Sequence, residues 1–100
     1  KVSKFNRFDG IFILSVGGGN REKNVSVGLC KAIELADEKG SSIFGIVGKD
    51  DGYTVKMGNC VVVVPEVDPR KVTPHSEAFQ AVVWHCLVSN PVLQKNSTKW

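Results

Sequence analysis

The chain is poor in the features that would place it at once. Met57 is its single methionine and it opens Lys1-Val2-Ser3-Lys4, which reads as a processed or truncated piece of a longer polypeptide. No apolar run approaches the roughly 20 residues of a membrane-crossing helix, and the N-terminus lacks the apolar stretch of a signal peptide. A soluble protein with no membrane partner is the expectation. Cysteine is scarce: Cys30, Cys60 and Cys86 are odd in number, widely spaced and set in apolar segments, with no C-x-x-C pair. That argues against a disulfide frame, a zinc ribbon and a thioredoxin-type site, and predicts buried free thiols in the reducing cytoplasm. The formal charge of +3 is spread along the chain, and no basic cluster is interleaved with aromatics, so nucleic acid is set aside as a partner. Asn24-Val25-Ser26 and Asn96-Ser97-Thr98 match the glycosylation sequon, which short sequences do by chance.

What is present reads as one small α/β domain. Residues 10–16 are apolar and β-branched without alternation, as in a parallel strand buried on both faces. Val25, Leu29, Ala32, Ile33 and Ala36 recur at helical spacing, with Lys31, Glu34, Asp37 and Glu38 on the other side and Gly40 as the stop. A second strand is predicted over 43–47, a turn over 48–52, a short helical turn near 54–57 and a third strand over 60–64, ended by Pro65. Thr73 reads as the N-cap of a last helix and Pro74 as its first residue. This order is that of a doubly wound parallel sheet, and three strands make so small a sheet that part of it is expected to lie elsewhere.

The most informative segment is the one where a strand runs into three glycines and then a helix: Phe12-Ile13-Leu14-Ser15-Val16-Gly17-Gly18-Gly19-Asn20. Glycines let the backbone turn sharply and bring bare N–H groups to a bound group, and the following helix adds the positive end of its dipole, so a phosphate is a natural guest. The same residues would also make a tight turn with no ligand. Two nucleotide fingerprints do not fit. G-x-G-x-x-G counted from Gly17 meets Glu22 where it needs glycine, and G-x-x-x-x-G-K-[ST] is absent. Ser15, Asn20 and Ser26 offer hydrogen bonds, while turn and cap bonding is the alternative use of the two serines.

In the last helix, Ala78, Phe79, Val82, Val83, Cys86 and Leu87 form one apolar face, and the other side carries Ala81, Trp84 and Val88 with Glu77 and His85. A second apolar side implies a cover, from the rest of the domain or another subunit, and places Glu77 and His85 where a site could be enclosed. A carboxylate and an imidazole suit proton transfer near neutral pH. They lie about 12 Å apart along a continuous helix, too far to bond directly. A core histidine bonded to a carbonyl is the alternative for His85. His75 reads as a loop or first-turn residue rather than a ligand, and Asp50 and Asp51 as turn residues or substrate contacts.

Three segments, Leu14-Ser15-Val16-Gly17-Gly18-Gly19-Asn20-Arg21-Glu22, Phe44-Gly45-Ile46-Val47-Gly48-Lys49-Asp50-Asp51-Gly52-Tyr53 and Thr73-Pro74-His75-Ser76-Glu77-Ala78-Phe79-Gln80-Ala81-Val82-Val83-Trp84-His85, together resemble the sugar isomerase (SIS) domain, and its phosphoheptose isomerase branch in particular. The resemblance implies a flavodoxin-like, three-layer, doubly wound sheet of which residues 1–100 are the C-terminal half. It implies phosphate binding by Ser15, Gly17, Gly18, Gly19, Asn20 and Ser26, although here glycines replace the family's usual hydroxyls and extra residues precede Asn24-Val25-Ser26. It implies that His85 is an acid/base, and that Glu77 stands where the family has a metal-binding glutamine, so that zinc is a possible cofactor. The family's remaining histidine and glutamate come from an early helix outside this chain, so the chain by itself would not complete the reaction. A sugar phosphate ligand and a homo-oligomer, dimer or tetramer, are the implied partners. The leading expectation is aldose–ketose isomerisation through an enediol; the others are a non-catalytic module that senses a sugar phosphate, and a fragment that completes another chain's sheet.

Overall fold

A computed structural model describes residues 4–96, so Ser97 and Thr98 of the second sequon lie outside the described residues. Three strands, β1 (Gly10–Ser15), β2 (Ser42–Val47) and β3 (Cys60–Val63), form a parallel sheet in the order β1-β2-β3. Ile13 stands opposite Gly45, and Gly45 opposite Val61. Helix α1 (Val27–Glu38) connects the first two strands and the short α2 (Tyr53–Met57) the next two; α3 (Val72–Ser89) follows β3. The coarse α/β architecture is therefore as the alternation of patterns predicts. Among the described residues no helix is long and apolar enough to cross a membrane.

The core lies between α1 and one face of the sheet. Cys30, Ile33 and Ala36 are the buried residues of α1, and Ile33 and Ala36 pack with Ile13 and Ile43, flanked by Ile11, Leu29, Tyr53 and Met57. Val25 and Ala32, expected on that face, are exposed, and the buried thiol of Cys30 takes the place between them. The helix begins at Val27, so Val25 belongs to the loop before it and no longer shares the helical phase.

Several expectations are corrected here. Strand β1 is not covered on both sides: Phe12 and Leu14 are 50% and 52% exposed, because α3 lies along β2 and leaves that face of β1 open. Thr73 is not the N-cap. A 3-10 turn, Pro69–Lys71, runs directly into α3, the Asp68 side chain accepts the Arg70 N–H at 3.0 Å, and Pro69 takes the first-residue role assigned to Pro74. The Arg70 guanidinium and amide beside Asp68 hold its carboxyl below the usual carboxylate range. Of the three free cysteines only Cys30 is buried; Cys60, at the start of β3, and Cys86, on α3, are exposed.

The greatest departure is in α3 itself. Its buried residues are Ser76 and Gln80, while Phe79, Val82, Cys86 and Leu87 of the expected apolar face are exposed. Gln80 Nε2 donates to the carbonyl of Ser15 at 3.0 Å and to that of Ile46 at 2.8 Å, tying the helix to the ends of β1 and β2. A polar residue can occupy the buried row because strand carbonyls are there to accept from it.

Candidate functional site

The glycine loop leaves β1 and settles against the N-terminal end of α2. Gly18 and Gly19 have φ of 75° and 78°, a left-handed conformation that side-chain-bearing residues adopt at a cost. The Gly18 carbonyl accepts from the Thr54 N–H at 3.0 Å and from the Thr54 hydroxyl at 2.8 Å, and the Gly19 carbonyl from the Tyr53 N–H at 2.8 Å. The Ser15 hydroxyl accepts the Gly18 N–H at 2.9 Å and shapes the turn. The residues that precede α1 form a small hairpin in which Asn20 and Val25 exchange two backbone hydrogen bonds of 2.9 Å, and Asn20 Oδ1 accepts the Lys23 N–H. Asn24 and Ser26 also take positive φ, 54° and 53°.

Helix α1 then begins without a side-chain cap. Ser26 is the capping residue but its hydroxyl makes no cap hydrogen bond, so the first-turn amides have no acceptor within the helix and the hydroxyl stays available. A cleft of about 260 Å³ opens at this point, with Gly17, Gly19, Asn20 and Ser26 on its wall. Lys23 and Lys49 supply positive charge to it and Asp51 a carboxylate. Lys49 also pairs with Glu66 at 3.6 Å, both side chains being nearly half exposed, which makes that pair weak. Of the six residues singled out for phosphate, four line this cleft, while Ser15 and Gly18 hold the loop in shape behind it.

Two further depressions adjoin it. One, of about 420 Å³, lies at the C-terminal ends of β2 and β3, where Val63, Val64 and Pro65 face Asp50, Asp51 and Glu66; it shares Lys49 and Asp51 with the first. The other, of about 250 Å³, is lined by Arg21, Glu22, Tyr53 and Lys56 with Asn20 and Asp51. There Glu34 accepts from the Tyr53 hydroxyl and pairs with Arg21, each at 3.2 Å, which ties the hairpin and α2 to α1. Burial pushes the Tyr53 hydroxyl above its ordinary pKa, and the Glu34 charge and hydrogen bond push the same way. The carboxyl ends of parallel strands are where open α/β sheets hold ligands.

Glu77 and His85 do not join this site. Both are exposed on α3, neither lines the glycine-loop cleft, and the His85 imidazole stacks on Trp84 with ring centroids 3.8 Å apart. His85 is therefore not a core histidine. About 12 Å of helix lies between Glu77 and His85, and among the described residues no three His, Cys, Asp or Glu side chains are placed to hold a metal. His75, in the first turn of α3 as expected, borders an apolar depression with Val62, Val64, Pro65 and Phe79.

Sequence reasoning passed over Lys23, Lys49 and Gln80. Lys49 had a readable signal: it stands two residues beyond the predicted end of a parallel strand, where ligands gather. Lys23 had none, because only the hairpin turns it toward the loop.

No protein-family model matches the chain, and no solved structure matches it. Over 73 residues the chain is 30% identical to the lincomycin biosynthesis protein LmbN of Streptomyces lincolnensis, a match that covers 73% of this chain and 26% of that protein. The chain thus spans about a quarter of the length of this curated relative.

Proposed function

We propose that the chain binds a sugar phosphate, with the phosphate in the glycine-loop cleft, and that it is the second half of a doubly wound, SIS-like domain. The observation that carries the reading is the convergence on one cleft of the uncapped N-terminus of α1, the unused Ser26 hydroxyl and two lysines. The uncovered face of β1, with Phe12 and Leu14 exposed, supports a covering layer from the rest of a larger domain, and the exposed Phe79, Val82 and Val88 of α3 support an oligomer, dimer or tetramer. Similarity to a lincomycin biosynthesis protein is compatible with a small-molecule ligand. Titration of the full chain with a hexose 6-phosphate should show saturable binding, weakened about tenfold by Lys23→Ala, the loss of one charge-assisted contact. No saturable uptake, or equal affinity in the variant, would overturn the assignment.

Binding is better supported than catalysis by this chain alone, since His85 and Glu77 lie away from the cleft. For the whole protein we propose aldose–ketose isomerisation, in which a base removes the proton from the carbon beside the carbonyl and the enediol is reprotonated on the neighbouring carbon, with His85 as one acid/base once α3 is covered. His85→Ala should then lower kcat by about 10²–10⁴-fold while phosphate affinity is kept. Undiminished turnover would remove His85 from the chemistry and leave the sensing module.

A further inference from the structure

The position of Asp51 says more about the ligand than the phosphate seat does. It borders all three depressions around the glycine loop: the one with Ser26, Lys23 and Lys49, the one at the ends of β2 and β3, and the one beside Arg21 and Tyr53. It enters no ion pair among the described residues, whereas Lys49 is drawn toward Glu66 at 3.6 Å. A lone carboxylate on the rim of an anion seat opposes any anion placed there. Its charge is offset there when the ligand brings hydrogen-bond donors to it.

From this geometry we infer that Asp51 is the specificity-determining residue of the site: it accepts hydrogen bonds from the hydroxyls of a sugar monophosphate and by its charge rejects inorganic phosphate and sugar bisphosphates. The inference rests on the phosphate-binding reading above. A phosphate held at Ser26 and Lys23 leaves the sugar body to run past Asp51 into the depression at the strand ends. That depression offers Val63, Val64 and Pro65 for the C–H faces of a sugar, and Asp50 and Glu66 beside Asp51 for its hydroxyls. A second phosphate at the far end would meet these three carboxylates. Lys49, the one cation lining this depression, is drawn toward Glu66, so three carboxylates outnumber it there; like charges brought together in this way are a standard means of excluding the wrong partner.

The test titrates the full chain and Asp51→Asn with inorganic phosphate, a hexose 6-phosphate and a hexose 1,6-bisphosphate. Asp51 is an exposed turn residue, so the variant should fold; Asp51→Ser serves as a second variant, and a thermal melt confirms both. The wild type should prefer the monophosphate to both other ligands. Asp51→Asn should tighten inorganic phosphate and the bisphosphate by roughly five-fold, as the removal of one partly screened charge allows, and weaken the monophosphate by a similar factor. Changes of the same sign for all three ligands, no change, or wild-type preference for the bisphosphate would each overturn the inference while leaving phosphate binding intact. Failure of the wild type to bind any of the three would instead remove the underlying reading, and this one with it.

Discussion

Gly52→Ala should lower the melting temperature by on the order of 10 °C and weaken phosphate binding in whatever fraction remains folded. The backbone of Gly52 is ordinary, with φ of −80°, so alanine meets no conformational penalty there. The obstacle is space: a Cβ would run into the Gly17 carbonyl oxygen and come within 3.2 Å of that of Gly19. These are backbone atoms of the glycine loop and cannot swing aside as a flexible side chain would. Relief requires the loop to lift off α2, at the expense of the Tyr53 and Thr54 hydrogen bonds to the Gly19 and Gly18 carbonyls. Overpacking of this kind costs about 1–3 kcal/mol, and in a domain of this size each kcal/mol moves the melt by about 4–8 °C. Gly17→Ala is the control, since nothing lies within 4 Å of its added Cβ. A Gly52→Ala protein that melts with the wild type would show that the loop does not depend on its close seat against α2.

Removal of the Gln80 amide should be comparably damaging for a different reason. Gln80→Ala withdraws the donor that the Ser15 and Ile46 carbonyls share, in a place where Gln80 itself is only 8% exposed. Buried acceptors that lose their partner cost about 1–3 kcal/mol, and the emptied space adds to it. Gln80→Glu separates hydrogen bonding from packing, because the side chain keeps its size while the carboxylate faces two carbonyl oxygens. Its pKa in the folded state would be raised, so the variant should be least stable above the ordinary carboxylate range and recover as acid protonates it. Thermal melts at neutral and acidic pH read both effects. Equal stability of all three proteins would show that α3 is not anchored through this amide.

The two experiments bear on different parts of what could be read in the residues. The strands and helices were legible because each is coded locally: β-branched runs at 10–15, 42–47 and 60–63, and the 3.6-residue spacing that puts Ile33 and Ala36 on one side of α1. The glycine loop was legible for the same reason, since three glycines after a strand have few conformational uses. The last helix misled because its apolar residues are dense on every side, so periodicity did not mark a single face. Pairing with the sheet then selected Ser76 and Gln80 for burial and left Phe79 and Val82 outside.

The residues proposed to hold phosphate divided along the same line. Ser15 looked equivalent to Ser26, each a serine in the stretch from the end of β1 to the start of α1 that holds the glycines. In the folded chain the Ser15 hydroxyl accepts the Gly18 N–H and Ser15 does not line the cleft, whereas the Ser26 hydroxyl makes no cap bond and Ser26 does line it. Lys23 and Lys49, 26 positions apart, meet across it only because the hairpin before α1 folds back toward the end of β2.

By itself, then, the amino-acid order determined where this chain extends, where it coils and where its backbone can present bare amides, because those depend on neighbours a few positions away. Which hydroxyl stays free, which glutamine is buried and which charges surround the cleft were decided by tertiary structure alone. Each of those depends on the partner that a distant segment brings within hydrogen-bond or Coulomb range, and no local pattern carries that information.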